Sequence, residues 1–202
     1  MSPVVEAYAE LAAQILRRPA RLGRTRLVAV DGPSGAGKSV FASRLADAFG
    51  DGRGAPVVQT DDLLDGWADQ FTFWPRLEGW VLGPLRAGRP ARYRRYDWTS
   101  GRFGQDWTVV PPAPVVIVEG VSSARAEIAD ELTLAVFVTA PARLCRDRTL
   151  ARDGAALAPQ LTVWRRGERA HFAADRTAER ADLVVDGAAG SVLDGAAFVR
   201  LR

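Results

Sequence analysis

Residues 32–39 read Gly-Pro-Ser-Gly-Ala-Gly-Lys-Ser and match G-x-x-x-x-G-K-[ST] at every fixed position. The apolar run Leu27-Val28-Ala29-Val30-Asp31 before them suits a buried parallel strand. After them, Val40, Phe41, Leu45 and Phe49 recur on one face of a helix. A strand, a glycine-rich turn and a helix in that order leave few architectures open. The glycines let the backbone curl until successive N–H groups point inward at the helix N-terminus, which makes an anion-binding nest. Gly32, Ser34, Gly35 and Ala36, followed by Gly37, Lys38, Ser39 and Val40, are the candidate phosphate-holding residues. Lys38 can reach the β and γ phosphates of a nucleotide, and the Ser39 hydroxyl can ligate Mg²⁺.

Lys38 is the only lysine in the chain; the other basic residues, 27 in all with it, are arginines. It stands at the one position where the motif demands lysine. A guanidinium there would be too wide for a closed loop. Acidic residues number 24, so the net charge is only +3, and the arginines are dispersed among acids rather than gathered in a patch. That distribution argues against nucleic acid as a partner. Cys145 is the single cysteine, which excludes an intrachain disulfide and fits a reducing compartment. There is no apolar run long enough to span a membrane, and no basic start followed by an apolar block. The expectation is a cytoplasmic protein without membrane partners.

The 202 residues suit one domain. Val4, Tyr8, Leu11, Ala12, Ile15 and Leu16 predict an opening amphipathic helix over 3–18. Further strands are expected at 56–60, 114–120, 133–139 and 183–185, with helices over 124–132, 142–152 and 159–176. Strands alternating with helices predict a parallel sheet flanked by helices, the three-layer α/β fold of P-loop NTPases. Residues 63–112 differ, holding five of the 6 tryptophans and many arginines. They read as an insertion or lid over the sheet's C-terminal edge, with a short helix from Pro75 to Leu82 interrupted at Gly83-Pro84 and a hairpin pairing 93–98 with 105–110. Residues 143–155 form a second, arginine-rich lid.

A GTPase needs an Asn-Lys-x-Asp motif, and with Lys38 already used the chain cannot contain one. Small-molecule kinases remain the main class. Such an enzyme needs a carboxylate to take the acceptor's proton, a carboxylate near Mg²⁺, and positive charge on the migrating group. Asp61 and Asp62 end the second strand, and Glu119 ends the strand at 115–118. Helix capping is the competing role for the aspartate pair. Arg148 and Arg152 lie one helical turn apart and are the candidates for the γ-phosphate, against a plain surface role.

The chain resembles the uridine kinase-like branch of P-loop kinases. The matching pieces are residues 31–39, Thr60-Asp61-Asp62, Tyr96-Asp97-Trp98, Val116 to Val121, the arginine-rich lid through Arg152-Asp153, and Arg180 to Val185. The resemblance implies ATP and Mg²⁺ as cofactors and Asp61 as the catalytic carboxylate. It also implies a metal site at Ser39, Asp61 and Glu119, with Tyr96 and Asp97 lining the acceptor pocket beside Asp62. Trp74 and Trp98 are the tryptophans nearest these polar motifs and the candidates for stacking on a planar acceptor. Gly101 stands where uridine kinases carry a pyrimidine-reading histidine, and Leu63 and Leu64 replace an aromatic pair; the only histidine, His171, lies far along the chain. The resemblance therefore implies a small-molecule kinase without fixing a pyrimidine nucleoside as its acceptor. A nucleoside monophosphate kinase and a non-catalytic nucleotide-binding protein are the alternatives. A homo-oligomer is compatible with either.

Overall fold

A computed structural model describes residues 3–50, 54–189 and 195–202. Strands β1 (Val4–Ala7), β2 (Arg26–Asp31), β3 (Val57–Gln59), β6 (Val115–Glu119), β7 (Leu132–Thr139), β8 (Leu183–Asp186) and β9 (Ala197–Arg200) form one sheet. Their order is β1-β9-β8-β7-β2-β6-β3. All pairings from β3 across to β8 are parallel, while β9 runs antiparallel to β8 and to β1. β4 (Ala91–Asp97) and β5 (Arg102–Val110) form a separate antiparallel hairpin. The principal helices are α1 (Tyr8–Arg17), α2 (Lys38–Asp47), α3 (Trp74–Leu77), α4 (Gly83–Arg86), α5 (Ala142–Asp153), α6 (Ala158–Asp175) and α7 (Thr177–Arg180). This is the mixed α/β architecture expected from the alternating pattern. Among the described residues, no helix is long and apolar enough to cross a membrane.

Alternation along the central strands sorts the core into two faces. Val28, Val30, Ile117 and Val136 pack with Ile15 of α1 and Leu45 of α2. Leu27, Ala29, Val116 and Val118 point the other way, against Leu77, Val81, Leu82 and Leu85 and the hairpin's Tyr93 and Val110. The aromatic segment therefore does more than cap the sheet edge: its helices cover the second face. Leu77, Val81, Leu82 and Leu85 are fully buried there because their spacing places them on one side of a continuous helical run.

Several local expectations shift. Gly83-Pro84 does not stop the helix. Residues Glu78–Leu82 widen into a π-turn in which the Gly83 N–H donates to the carbonyl of Glu78. The wider turn carries the chain past a proline that would clash with the carbonyl four residues back in a regular helix. Residues 124–132 contain only a 3₁₀ stretch, Ala126–Glu131. The opening helix begins at Tyr8, and Val4–Ala7 pair with β9 instead. Tyr8, Phe41 and Phe198 meet there with ring centroids 5.1–5.3 Å apart, a three-way contact that helical periodicity could not reveal.

The end of β2 is fastened to the end of β6 by one side chain. Asp31 is fully buried; its Oδ1 accepts the N–H groups of Gly32 (2.7 Å) and Ser122 (2.9 Å), and its Oδ2 that of Ala124 (2.9 Å). Burial raises its pKa to about 6, and those three donors with the Lys38 charge restrain the rise. Asparagine would offer one acceptor oxygen and turn its own amide toward an N–H group. Asp31→Asn is expected to lose about 1–3 kcal/mol of stability, read by urea unfolding at pH 8 where the aspartate is ionised.

Candidate active site

The phosphate loop connects β2 to α2. Gly32, Gly35 and Gly37 hold φ of 139°, 81° and 106°, a region that side chains strain to enter. Close packing adds a second demand at two of them. A Cβ at Gly32 would run into the carbonyl oxygen of Val138, and one at Gly35 into that of Cys145. The loop's amides then divide into two groups. Those of Gly32, Ser34 and Ala36 donate within the protein, to Asp31, Glu168 and the Pro33 carbonyl, and so shape the loop. Those of Gly35, Gly37, Lys38 and Ser39 find no acceptor among the described residues. They are the orphan donors of a helix N-terminus, available to an anion. Lys38 is buried, and its ammonium donates to the Pro33 carbonyl (3.1 Å), which places the cation across the mouth of the loop.

A cleft of about 520 Å³ opens over the loop, and a second cavity of about 450 Å³ adjoins it. Ser34, Asp61 and Arg152 line both. Asp61 stands in the 3₁₀ turn Thr60–Leu63 that follows β3, and its residue surface opens to the cavities. The recess around its carboxyl still strips water, and this raises its pKa against the lowering pull of Lys38 and Arg152. Glu119, at the end of β6, accepts the Ser39 hydroxyl at 2.9 Å. Burial raises its pKa too, with Asp61 adding to the rise and Lys38 opposing it. These are hard oxygen donors at the phosphate end of the cleft. Among the described residues no three His, Cys, Asp or Glu side chains cluster to cage a metal. That donor set fits Mg²⁺, which takes one or two protein oxygens and completes its shell with phosphate and water.

The two arginines separate. Arg148 reaches back, its Nη1 donating to the carbonyls of Gly35 (3.2 Å) and Gly187 (3.1 Å), so it braces the loop. Arg152 lies at the junction of the cavities, where Asp153 holds its guanidinium through Nε (2.6 Å) and Nη2 (2.9 Å).

Asp62, Trp67, Trp98, Trp164 and Leu161 form much of the second cavity's wall. The Trp67 ring meets Trp98 edge-to-face at 5.3 Å and Trp164 at 5.6 Å. The Asp62 Oδ2 accepts from Tyr93 Oη (3.3 Å) and forms an ion pair with Arg95, Nε at 3.0 Å. Three expected positions fall outside both cavities. Tyr96 stands behind Trp98, ring to ring at 5.1 Å. Asp97 is exposed and closes the hairpin turn, accepting from the Thr99 N–H (2.9 Å) and the Ser100 hydroxyl (2.6 Å); these bonds lower its pKa. Trp74 packs beside Phe73 under the Arg125 guanidinium. Trp164 and Glu168 were not expected at all. They sit on α6, more than 120 residues from the loop they touch, with only an ordinary helical pattern to mark them.

No family model matches the chain. It is 29% identical over 145 residues to a uridine kinase of Deinococcus deserti, covering 64% of this chain and 69% of that one. It is also 30% identical over 139 residues to an inorganic pyrophosphatase of Arabidopsis thaliana. That match takes in 63% of this chain and 20% of the plant protein, so the chain spans about a fifth of the length of that relative. Among solved structures, a possible uridine kinase of Bacillus stearothermophilus superposes with a TM-score of 0.63 at 17% identity, over 88% of this chain and 96% of that one. A candidate fructose transport system kinase of a Silicibacter species does so with a TM-score of 0.51 at 22% identity, over 98% and 97%. The likeness to the uridine kinase-like P-loop kinases thus holds in sequence and in fold. Lys38→Ala is expected to lower the affinity for a magnesium-loaded nucleoside triphosphate at least tenfold, on the scale of one desolvated charge contact. Isothermal calorimetry of the folded variant checks this.

Proposed function

We propose that the chain is an ATP- and Mg²⁺-dependent kinase that transfers the γ-phosphoryl group to a hydroxyl of a small, unphosphorylated molecule. The observation behind this reading is that one carboxylate, Asp61, and one cation, Arg152, face both a phosphate-loop cleft and a separate aromatic cavity. In-line transfer needs that convergence, with the donor on one side, the acceptor on the other, and a base and a charge at their meeting point.

Each residue then has a task. The free amides of the loop and Lys38 hold the β and γ phosphates. Ser39 and Glu119 hold Mg²⁺, which when bound neutralises phosphate charge. The acceptor hydroxyl lies against the tryptophans with its proton toward Asp61. As its oxygen bonds to the γ-phosphorus, the bond from that phosphorus to the bridging oxygen breaks. The proton passes to Asp61 and ADP departs. The raised pKa of Asp61 brings its proton affinity nearer to that of a working base. Arg152 faces the charge that builds on the moving group.

Most arginines of residues 76–95 are engaged by other side chains, which favours this acceptor over a nucleoside monophosphate. Arg76 pairs with Asp69, Arg86 with Glu78 and Glu131, and Arg92 and Arg94 lie over Trp107. The second cavity presents Asp61, Asp62 and Asp153; Asp153 holds Arg152 and Asp62 pairs with Arg95, so each of these guanidinium groups already faces a carboxylate rather than a second phosphate.

ADP release measured across nucleosides, nucleotides, sugars and vitamin precursors identifies the acceptor. Competition by the phosphorylated form of the best acceptor, stronger than by the acceptor itself, would favour a monophosphate kinase. Asp61→Asn should keep ATP affinity while turnover falls by about a hundredfold or more; unchanged turnover removes Asp61 from the mechanism. The wild-type rate should fall as pH drops, because a protonated Asp61 accepts nothing. The midpoint should lie above the ordinary 3.8 of an aspartate, since burial shifts this one upward.

A further inference from the structure

Glu168 is 3% exposed and lies on α6, facing the phosphate loop rather than solvent. One of its oxygens, Oε1, accepts the Ser34 N–H (2.9 Å), the Ser34 hydroxyl and the indole N–H of Trp164 (2.9 Å). The same indole N–H also lies 3.1 Å from Ser34 Oγ. Placing a carboxylate beside an anion-binding loop costs electrostatic energy, so a residue of this kind needs a reason to be there. Two features supply one. Ser34 lines both cavities, at the point where donor and acceptor meet, and Trp164 is a wall of the aromatic cavity. Glu168 itself lines neither. It joins a residue of the loop to a residue of the acceptor wall through a triangle of hydrogen bonds with no solvent between them.

We propose that Glu168 is a positioning residue that couples the two cavities, so that occupancy of the phosphate loop sets the orientation of Trp164 in the acceptor pocket, and the reverse. This rests on the kinase reading above, in which these two cavities hold donor and acceptor. An anion drawn onto the amides of Gly35, Gly37, Lys38 and Ser39 pulls on a loop whose third residue is tied to Glu168. Trp164 is tied to the same oxygen, so loop and indole move together. The shift passed to the wall need only be small, because near-attack geometry is sensitive to slight misplacement. The link is reciprocal, as any binding coupling must be. Its carrier is the accepting oxygen and not the charge, because all three donors converge on one atom. Glutamine preserves that acceptor, and alanine deletes it.

Indole fluorescence reads the coupling without knowledge of the acceptor. The 202-residue chain is titrated with magnesium and the non-hydrolysable analogue AMP-PNP, following tryptophan emission and, in parallel, heat. The wild type should show an emission change that is absent in Trp164→Phe, which assigns it to that indole. Glu168→Ala should lose the change while calorimetry still finds AMP-PNP bound within about threefold of wild type, and Glu168→Gln should keep it. Ser34→Ala, which removes the hydroxyl's two bonds, keeps the main-chain one and leaves the helix untouched, should diminish the change and stands in if Glu168→Ala does not fold. A wild-type emission change in folded Glu168→Ala would overturn the proposal, as would its survival in Trp164→Phe. A uniform loss of binding and melting temperature in Glu168→Ala and Glu168→Gln alike would assign Glu168 to stability alone and also overturn it. Failure of the wild type to bind AMP-PNP by calorimetry is a distinct result; it removes the kinase reading, and this coupling with it.

Discussion

A tightly curled loop of main chain holds an anion well when its own polar groups are shared out among several ties, none of them indispensable alone. Here those ties come from the ends of neighbouring strands and helices. Asp31 fixes the start of the loop to the turn after β6, Arg148 fixes the Gly35 carbonyl to the end of β8, and Glu168 fixes Ser34 to α6. Val138 and Cys145 press carbonyls so close to Gly32 and Gly35 that only hydrogen fits between. The inward amides stay free because the outward groups are engaged. The geometry that binds phosphate is thus a property of the parallel sheet and its crossovers rather than of eight residues alone.

Charge follows from the same arrangement. Lys38, Asp61 and Glu119 converge because parallel strands deliver their C-terminal ends to one edge. Burial drives the carboxyls toward their neutral forms, and the one ammonium draws them back. A doubly charged pair of carboxylates beside a triphosphate would repel it. On the proposed reading, a single lysine, with Ser39 and Glu119 offering hard oxygens to a divalent ion, would make the site hospitable to polyphosphate.

Much of this was legible in the residue order because it is local. The strand at 26–31, the loop, the helix after it and the carboxylates at 61 and 119 are set by contiguous signals: an apolar run, glycines at fixed spacing, an acid where a strand ends. The rest depends on contacts that no local pattern carries. Trp74 and Trp164 are both tryptophans among helical residues, and only packing sends the first under Arg125 and the second into the cavity wall. Asp97 looks like a pocket residue in sequence but caps a turn, because Thr99 and Ser100 offer it donors two and three residues on. The Val4–Ala7 strand answered to β9, nearly two hundred residues away, rather than to the helical spacing around it.

The tryptophans of the second cavity come from separate connections, at 67, 98 and 164, while the phosphate-handling groups stand on the loop and at strand ends. A chain built this way has two kinds of site position. Strand ends are bound into the sheet and Trp164 is buried against the loop, whereas Trp67 and Trp98 are exposed and can be exchanged at less cost to the frame. On the kinase reading, the acceptor could therefore be altered by substitutions at those two wall positions, with the groups at the strand ends left in place.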